Sequence, residues 1–317
     1  MTTVLTVLQE VFGSARVHEH VPLAPLTTFR VGGRADVLLE TRSSAEIVRA
    51  LELAHRHGVP VTMLGGGSNV LVSDRGIRGL VVRPRGGVVA LVDARHVRAD
   101  AAVTINGLVR WTIMRGLGGL ERWAGTPGTV GGAVVGNVHF GGRLIGEVIT
   151  EVQVADRTGR VTTLPATEMG FAYDRSRVQQ TGEVVLTATF QVTPADPVSL
   201  REAARASLAY RKRTQPLETP SAGCVFQNPV PNRDTLPAGM PCSAGALVDR
   251  AGLKGLRIGG ARVSEAHGNF IVNEGGATAS DIRALIERCR TEVQRQFGVT
   301  LREEIVYLGD FGGHTAH

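Results

Sequence analysis

The chain has 317 residues, of which 43% are hydrophobic, 20% charged and 4% aromatic, and its 35 basic against 29 acidic residues give a net charge of +6. At about 100–200 residues per domain, this length indicates two or three domains, and the hydrophobic content excludes a disordered chain. No apolar run approaches the ~20 residues of a membrane-spanning helix. The first residues lack the basic region and cleavage site of a signal peptide. We therefore expect a soluble, cytoplasmic protein.

The positive charge is a weak indicator of function. The arginines are scattered, and the densest basic clusters, at 211–213 and 283–295, fall on helix-like segments that we expect to be solvated faces. Few aromatic residues are available to stack on bases, which favours an anionic small molecule over nucleic acid as the partner. The cysteines are odd in number and have no CxxC spacing, so we expect neither a disulfide framework nor a structural zinc site, and no metal site: Cys224, Cys242 and Cys289.

The first third of the chain alternates strand and helix signals. The N-terminal residues 1–13 have the pattern of an amphipathic helix, and Ser44 is a plausible N-cap for a helix that ends at Gly58. Apolar, β-branched runs predict strands at 36–40, 61–64, 70–73 and 80–83.

From about Pro84 the pattern is richer in strands, which we predict at 88–92, 97–105, 148–155 and 184–193, with a helix at 106–116 and a glycine-rich stretch at 116–142. After a proline-containing boundary at 194–197, Ser199 can cap a helix that runs through Arg213. A later helix begins at Ser280 and ends before Gly298, and a terminal strand follows at 299–308. The pattern predicts an α+β protein of three lobes, with limits at 1–83, 84–196 and 197–317.

Forty glycines are nearly twice the average usage of about 7%, and many of them lie in three clusters at 27–33, 64–69 and 124–133. Consecutive glycines allow several backbone N–H groups to surround one anion, as a pyrophosphate requires, although each cluster alone is equally consistent with ordinary turns. Neither GxGxxG nor GxxxxGK[ST] occurs in a strand-to-helix setting, so a Rossmann fingerprint or P-loop is not supported. The candidate cofactor-binding residues are Arg30, Gly32, Gly33, Gly65, Gly66, Gly67, Ser68, Asn69, Gly125, Thr126, Pro127, Gly128, Thr129, Gly131, Gly132 and Ala133.

Four ordered motifs make the sequence recognisable. They are LGGGSNVLVSDRGIRGLVV, WAGTPGTVGGAV, SAGCVFQNP and AGLKGLRIGGARVSEAHGNFIVN. Together they resemble the UDP-N-acetylenolpyruvoylglucosamine reductase (UDP-N-acetylmuramate dehydrogenase) family, and the similarity runs from about residue 23 to 309. The length is typical of the family's short form, which lacks an extra tyrosine-bearing loop.

The resemblance implies a vanillyl-alcohol-oxidase/PCMH-type fold, in which two α+β lobes hold FAD without a covalent bond and a C-terminal α+β lobe binds the UDP-sugar. It also implies a reaction in two halves. NADPH reduces the flavin, and the enolpyruvyl ether of UDP-N-acetylglucosamine then accepts a hydride and a proton to give UDP-N-acetylmuramate for peptidoglycan synthesis. The added charge on the substrate carboxylate requires a cation or a proton donor, and the adjacent carbon requires a general acid.

Three residues match the catalytic set that the resemblance implies. Cys224 stands where the family has its proton-donating serine, and a thiol is more acidic than an alcohol. Glu304 matches the C-terminal catalytic glutamate. The family pattern Phe-x-Tyr-Arg-x-Ser becomes Phe-Ala-Tyr-Asp-Arg-Ser here, so that Asp174 occupies the expected arginine position and Arg175 follows it. We take Arg175 as the catalytic arginine and Arg177 as the reserve.

The chain departs from the family pattern at several other positions. Gln227 and Ala266 stand where lysines are common, and the usual Asn-Ala-Gly-Ala-Tyr-Gly run is replaced by a segment containing His139, which we consider as a compensating group. The resemblance implies that further polar side chains contact the substrate: Tyr173, Gln227, Asn228, His267 and Asn269.

Two other functions remain open at this point. One is a sugar or alcohol oxidase on the same fold, a class that often attaches its flavin covalently through a histidine. A nucleic-acid-binding protein would bind no flavin. We expect the enzyme to act as a monomer.

Overall fold

The first lobe is built on a four-stranded sheet. The computed structural model describes residues 2–230 and 233–312, so Met1 of the predicted N-terminal helix lies outside the described residues, as do the ends of the predicted third lobe at 313–317. Two helices, Thr2–Phe12 and Ser44–Arg56, cover the sheet with apolar faces that include Leu8, Leu51 and Leu53. The strands lie in the order Val17–Pro22, Arg34–Thr41, Ile77–Pro84 and Val61–Met63, with the last three parallel.

The second lobe contains a five-stranded antiparallel sheet. The helices Ile105–Met114 and Val130–Val135 pack against it around the fully buried Trp123 and Phe190. Leu200 and Ala204 join the same core, so the helix Pro197–Thr214 packs on this lobe. The strands lie in the order Val161–Pro165, Ile149–Ala155, Val184–Gln191, His96–Asp100 and Val89–Asp93. A short helix at Val178–Thr181 and the two-residue strand pairs Leu117–Gly118 with Thr193–Pro194 and His139–Phe140 with Arg143–Leu144 complete the lobe.

The third lobe packs two helices on a small antiparallel sheet. The long helix Ala279–Phe297 buries side chains at three- and four-residue spacing, and Gly298 ends it in the left-handed conformation. Its partners are the helix Ala244–Arg250 and the strands Arg257–Ile258, Ala261–Val263 and Ile271–Asn273.

The first and third lobes share a core. The terminal strand Val306–Leu308 pairs in parallel with Val70–Val72 of the first lobe. Phe29, Val31 and Leu71 belong to the hydrophobic core of the third lobe. The candidate residues near the C-terminus are thereby held against the glycine clusters.

Several of the predicted element boundaries were wrong, including the two helix caps described next and the terminal strand. Ser43, not Ser44, caps its helix, because Ser43 has the extended backbone from which its side chain accepts the Glu46 N–H. Asp196, not Ser199, caps the helix Pro197–Thr214, because Ser199 follows Pro197 inside the first turn.

The predicted terminal strand is ordered as a strand only at Val306–Leu308. The residues before it run beside Phe226 with an isolated bridge to Glu303 and no continuous ladder. No helix within the described residues is long and apolar enough to cross a membrane.

Candidate active site

The three glycine clusters meet in space. The Thr28 N–H donates to the carbonyl oxygen of Gly67 at 2.9 Å, which joins the first cluster to the second. The second and third approach so closely that a Cβ on Gly66 would lie 2.6 Å from the Gly128 Cα. Any side chain at Gly66 would separate these backbones, so the glycine is required by the contact between loops.

The loop that follows the strand Val61–Met63 presents backbone donors. Within the described part of the chain, none of the N–H groups at 65–69 donates a hydrogen bond to a protein acceptor. Gly67 and Gly128 both have positive φ, at +63° and +97°, which only glycine adopts readily. Successive N–H groups in such loops form a concave anion site. The loops therefore fit the pyrophosphate of a dinucleotide cofactor.

Some of the other predicted cofactor residues have structural contacts, whereas Arg30 is exposed. Thr129 caps the helix Val130–Val135 by accepting the Gly132 N–H, and Thr126 is buried. Gly33 is packed against the backbone of Asp74, where a Cβ would lie 2.3 Å from the carbonyl oxygen. Arg30 is exposed, with a left-handed φ of +57°.

Two backbone contacts position Cys224 and Glu304 beside each other. Cys224 forms an isolated bridge with Phe270, and the N–H of the next residue, Val225, donates to the Asn269 carbonyl oxygen at 2.9 Å. The Glu304 N–H donates to the Val225 carbonyl oxygen at 2.8 Å. The Asn69 side chain donates to the Glu304 carbonyl oxygen at 3.2 Å. This last contact ties the third lobe to the second glycine cluster.

Burial controls the protonation of this site. It raises the pKa of the Cys224 thiol, and the nearby carboxylates of Glu304 and Asp174 raise it further. The pKa of Glu304 is well above its ordinary value because of burial and Asp174. Burial also raises the pKa of Asp174 to about 7. The thiol therefore holds its proton at neutral pH.

Asp174, rather than Arg175, faces this group. The Asp174 side chain is 7% exposed, and its Oδ1 lies 3.4 Å from His139 Nε2. Asp174 has a φ of +51° in a turn where Ala172 and Arg175 exchange backbone hydrogen bonds, and Arg175 points to solvent. The reserve residue, Arg177, is paired with Glu183 at 3.0 Å.

The cation whose charge acts on the Cys224 thiol is Arg211, which the sequence pattern had assigned to a solvated face. That interpretation was wrong, because Arg211 is only 7% exposed. It donates to the Thr126 hydroxyl at 2.8 Å and lies over the Phe140 ring at 3.9 Å. Its positive charge opposes the rise in the pKa of Cys224. Spacing along the helix could have identified it, since Arg211 follows Leu200 and Ala204 on the same buried face.

The predicted substrate contacts form a polar network near Cys224. The Asn228 N–H donates to the Tyr173 hydroxyl at 3.3 Å, and the Asn228 side chain accepts the Ala244 N–H at 3.0 Å. Asn269 spans Phe226, accepting its N–H at 2.9 Å and donating to its carbonyl oxygen at 2.7 Å.

The remaining two predicted contacts, His267 and Gln227, are both partly exposed. His267 is half-buried, and its Nδ1 accepts the Asn269 N–H at 3.2 Å. Gln227 is also half-buried, and its backbone N–H donates to the Arg302 carbonyl oxygen at 2.8 Å.

Comparisons with known proteins agree with this geometry. Residues 35–165 match the family model described as FAD binding domain, and residues 215–308 match that of UDP-N-acetylenolpyruvoylglucosamine reductase, C-terminal domain. The chain is 43% identical over 289 residues to UDP-N-acetylenolpyruvoylglucosamine reductase of Moorella thermoacetica, covering 91% of this chain and 92% of that protein. It is 41% identical over 305 residues to the enzyme of the same name from Rubrobacter xylanophilus, covering 96% and 98%.

A solved structure extends the similarity to the fold. The crystal structure of UDP-N-acetylenolpyruvylglucosamine reductase from Thermus caldophilus superposes with a TM-score of 0.77 at 33% identity, covering 92% of this chain and 99% of that one.

The fold and the loops define an FAD-dependent oxidoreductase of the α+β class, and the predicted fold is confirmed. More particularly, the chain belongs to the UDP-N-acetylenolpyruvoylglucosamine reductase family.

Proposed function

We propose that this protein uses NADPH to reduce UDP-N-acetylglucosamine enolpyruvate to UDP-N-acetylmuramate, a step in peptidoglycan precursor synthesis. The observation that carries the proposal is the proton-loaded Cys224 thiol beside Glu304, next to loops that fit an FAD pyrophosphate. When bound, FAD supplies the hydride chemistry that no amino-acid side chain provides.

Cys224 is the group that we assign as proton donor to the substrate. The raised pKa keeps the thiol protonated until the substrate carbon has gained enough negative charge to take the proton. The thiolate left behind faces Arg211, whose positive charge stabilises it. A serine in this place would act in the same way, so the cysteine does not change the class of reaction.

Glu304 is the group that we assign to stabilise the negative charge that develops on the substrate carboxylate. Burial and Asp174 raise the pKa of Glu304, which favours its protonated form, and in that form it can donate a hydrogen bond to the substrate carboxylate. Arg175 remains a candidate for the catalytic arginine. Its exposed guanidinium would reach the substrate only from the solvent side.

Polar side chains around this centre are proposed to hold the UDP-sugar. The half-buried Tyr173 hydroxyl and Asn228 side-chain amide can donate to phosphate or sugar oxygens in a chain that has no lysine at 227 or 266. The proposed contacts are Tyr173, Gln227, Asn228, His267 and Asn269. A cytoplasmic location and a monomeric state are also part of the proposal.

Variants of Cys224 test the assignment. With Cys224→Ala, NADPH should still reduce the flavin at the wild-type rate, whereas steady-state turnover should fall about 10²–10⁴-fold, the usual contribution of a general acid. Cys224→Ser should retain most of the activity.

The matched control is Cys242→Ala, which removes an exposed cysteine and should leave both rates unchanged. Equal losses in flavin reduction and in turnover for Cys224→Ala would remove the proton-donor role.

A further inference from the structure

Three side chains from distant parts of the chain converge beside Cys224. His139 comes from the short strand His139–Phe140, Asp174 from a turn that precedes the helix Val178–Thr181, and Glu304 from the C-terminal segment. One ligand atom from each, a ring nitrogen and two carboxylate oxygens, lies within 4.8 Å of the others. All three residues are half-buried.

The two carboxylates have no cationic partner among the described residues. Asp174 Oδ2 is buried without a hydrogen-bond partner, in a side chain that is 7% exposed. No arginine or lysine within the described ranges forms an ion pair with Asp174 or with Glu304. The positive charge of Arg211 lowers the pKa values of His139 and Cys224, and Arg211 is not among the groups that shift the pKa of Asp174 or Glu304. Burying an unpaired carboxylate is costly, so the pair either holds protons or takes up a counter-charge.

From this arrangement we propose that His139, Asp174 and Glu304 bind one divalent transition-metal cation of the Zn²⁺ or Mn²⁺ type. Imidazole and carboxylate together form the mixed nitrogen and oxygen ligand set that such cations accept. Three protein ligands leave positions open for an added ligand. Cysteine spacing did not suggest this site, because its ligands come from separate segments.

The distances require a small closure. Ligands held about 2.0–2.2 Å from a metal lie roughly 3–4 Å apart. His139 and Asp174 are already at 3.4 Å. Glu304 would have to approach by about an ångström, and a cation would drive that approach by displacing the protons that the two carboxyl groups hold and attracting both carboxylates. His139 is suited to bind, because burial and Arg211 lower its pKa and keep the ring neutral with a lone pair free.

The cation would also meet a need of the proposed reaction, and this part rests on the proposed function. Asp174 stands at the position where the family pattern has arginine, so the chain carries an anion where a cation would bind the substrate carboxylate. A metal on Asp174 would restore positive charge at the same place. Its open coordination positions would take the carboxylate of the enolpyruvyl group and stabilise the charge that develops there.

Metal titration of the flavin-loaded protein tests the site without substrate. The protein is first treated with EDTA, dialysed into 100 mM KCl at pH 7.5 and titrated with MnCl₂ or ZnCl₂ by isothermal calorimetry. We expect one cation per chain. Asp174→Asn and His139→Gln should each weaken binding at least about tenfold, since each removes one of three ligands.

Asp93→Asn is the matched control. Asp93 also contacts a histidine, His96, at 2.9 Å, but the Asp93 side chain is 56% exposed and is not one of the three proposed ligands. This variant should bind as the wild type does. All variants are compared by flavin absorbance to establish that they fold. Binding that is absent in the wild type, or equal in the wild type and Asp174→Asn, overturns the proposal.

Activity separates this proposal from the proposed function. If the metal proposal holds, added Mn²⁺ should lower the KM for the enolpyruvyl sugar at least threefold in the wild type and not in Asp174→Asn. Full activity in EDTA that Mn²⁺ does not change would overturn the substrate-binding role of the cation and leave the reductase assignment intact. Lack of any reaction with the enolpyruvyl sugar would overturn the reductase assignment, whereas the calorimetric result would still stand for the metal.

Discussion

Replacing Asp174 by Asn should stabilise the metal-free protein at alkaline pH and change its stability little at acidic pH. The Asp174 side chain is 7% exposed, and its Oδ2 has no hydrogen-bond partner. In the folded protein, burial raises the pKa of the Asp174 carboxyl from 3.8 to about 7. No other titratable group that faces it supplies a positive charge among the described residues; these groups are Tyr173, Cys224, Glu304 and the neutral His139.

The sign follows from proton linkage. Below about pH 4 the carboxyl is protonated in both states and contributes the same to each. Between about pH 4 and 7 the unfolded chain loses the proton while the folded protein keeps it, so the free energy of unfolding falls as the pH rises. Above pH 7 both states are ionised, and the loss is complete.

The size follows from the same values. At about 1.4 kcal/mol for each pKa unit, the difference between 3.8 and about 7 corresponds to about 4 kcal/mol. Because Glu304 shares this titration with Asp174, the aspartate alone should account for about 2–4 kcal/mol. An asparagine of nearly the same shape has no proton to lose, so the variant avoids this cost.

Thermal unfolding in EDTA at pH 5 and pH 8 measures the effect. At about 2 °C per kcal/mol, Asp174→Asn should raise the Tm by about 4–8 °C at pH 8 and by less than half of that at pH 5. Asp93→Asn serves as the control, because hydrogen bonds lower the pKa of exposed Asp93 and give no such gain at alkaline pH. A Tm difference for Asp174→Asn that is the same at both pH values would refute the reasoning.

Two further substitutions test the cofactor loops and the buried cation. Gly66→Ala should abolish FAD retention, because its Cβ would lie 2.6 Å from Gly128 Cα. The control is Gly136→Ala, which has a negative φ and its nearest contact at 3.7 Å and should purify with normal flavin. Equal flavin content in both variants would contradict the loop contact. Arg211→Gln should slow the substrate-dependent reoxidation of reduced flavin about 10–100-fold, because it removes the charge that acts on Cys224. Substitution of the exposed neighbour, Arg213→Gln, should leave this rate unchanged. Equal rates for both variants in stopped-flow absorbance would count against the role of Arg211.

Local patterns predicted those parts of the molecule that depend on neighbouring residues. The helix Ala279–Phe297 follows directly from the spacing of Ile282, Leu285 and Cys289, which side chains on one helical face must share. The glycine clusters were identified because consecutive glycines are rare, and the backbone contact between Gly66 and Gly128 gives a physical reason for them.

The arrangement of the charged groups could not be predicted in this way. His139, Asp174 and Glu304 are far apart in sequence, and which of Asp174 and Arg175 faces inward depends on the left-handed turn at Asp174. Arg211 was assigned to solvent because its neighbours are basic, although its spacing from Leu200 and Ala204 places it on the buried face of its helix. Side-chain direction in turns is set by tertiary contacts, so local patterns do not determine it, and a count of basic residues does not show which helix face is buried.

The most direct test of the central claim is single-turnover reoxidation of the wild-type enzyme. The flavin is reduced anaerobically with one equivalent of NADPH, mixed with UDP-N-acetylglucosamine enolpyruvate, and followed by its visible absorbance while the product is collected. The account predicts full return of the oxidised flavin spectrum together with one UDP-N-acetylmuramate per flavin. A flavin that stays reduced in the presence of the enolpyruvyl sugar would contradict it.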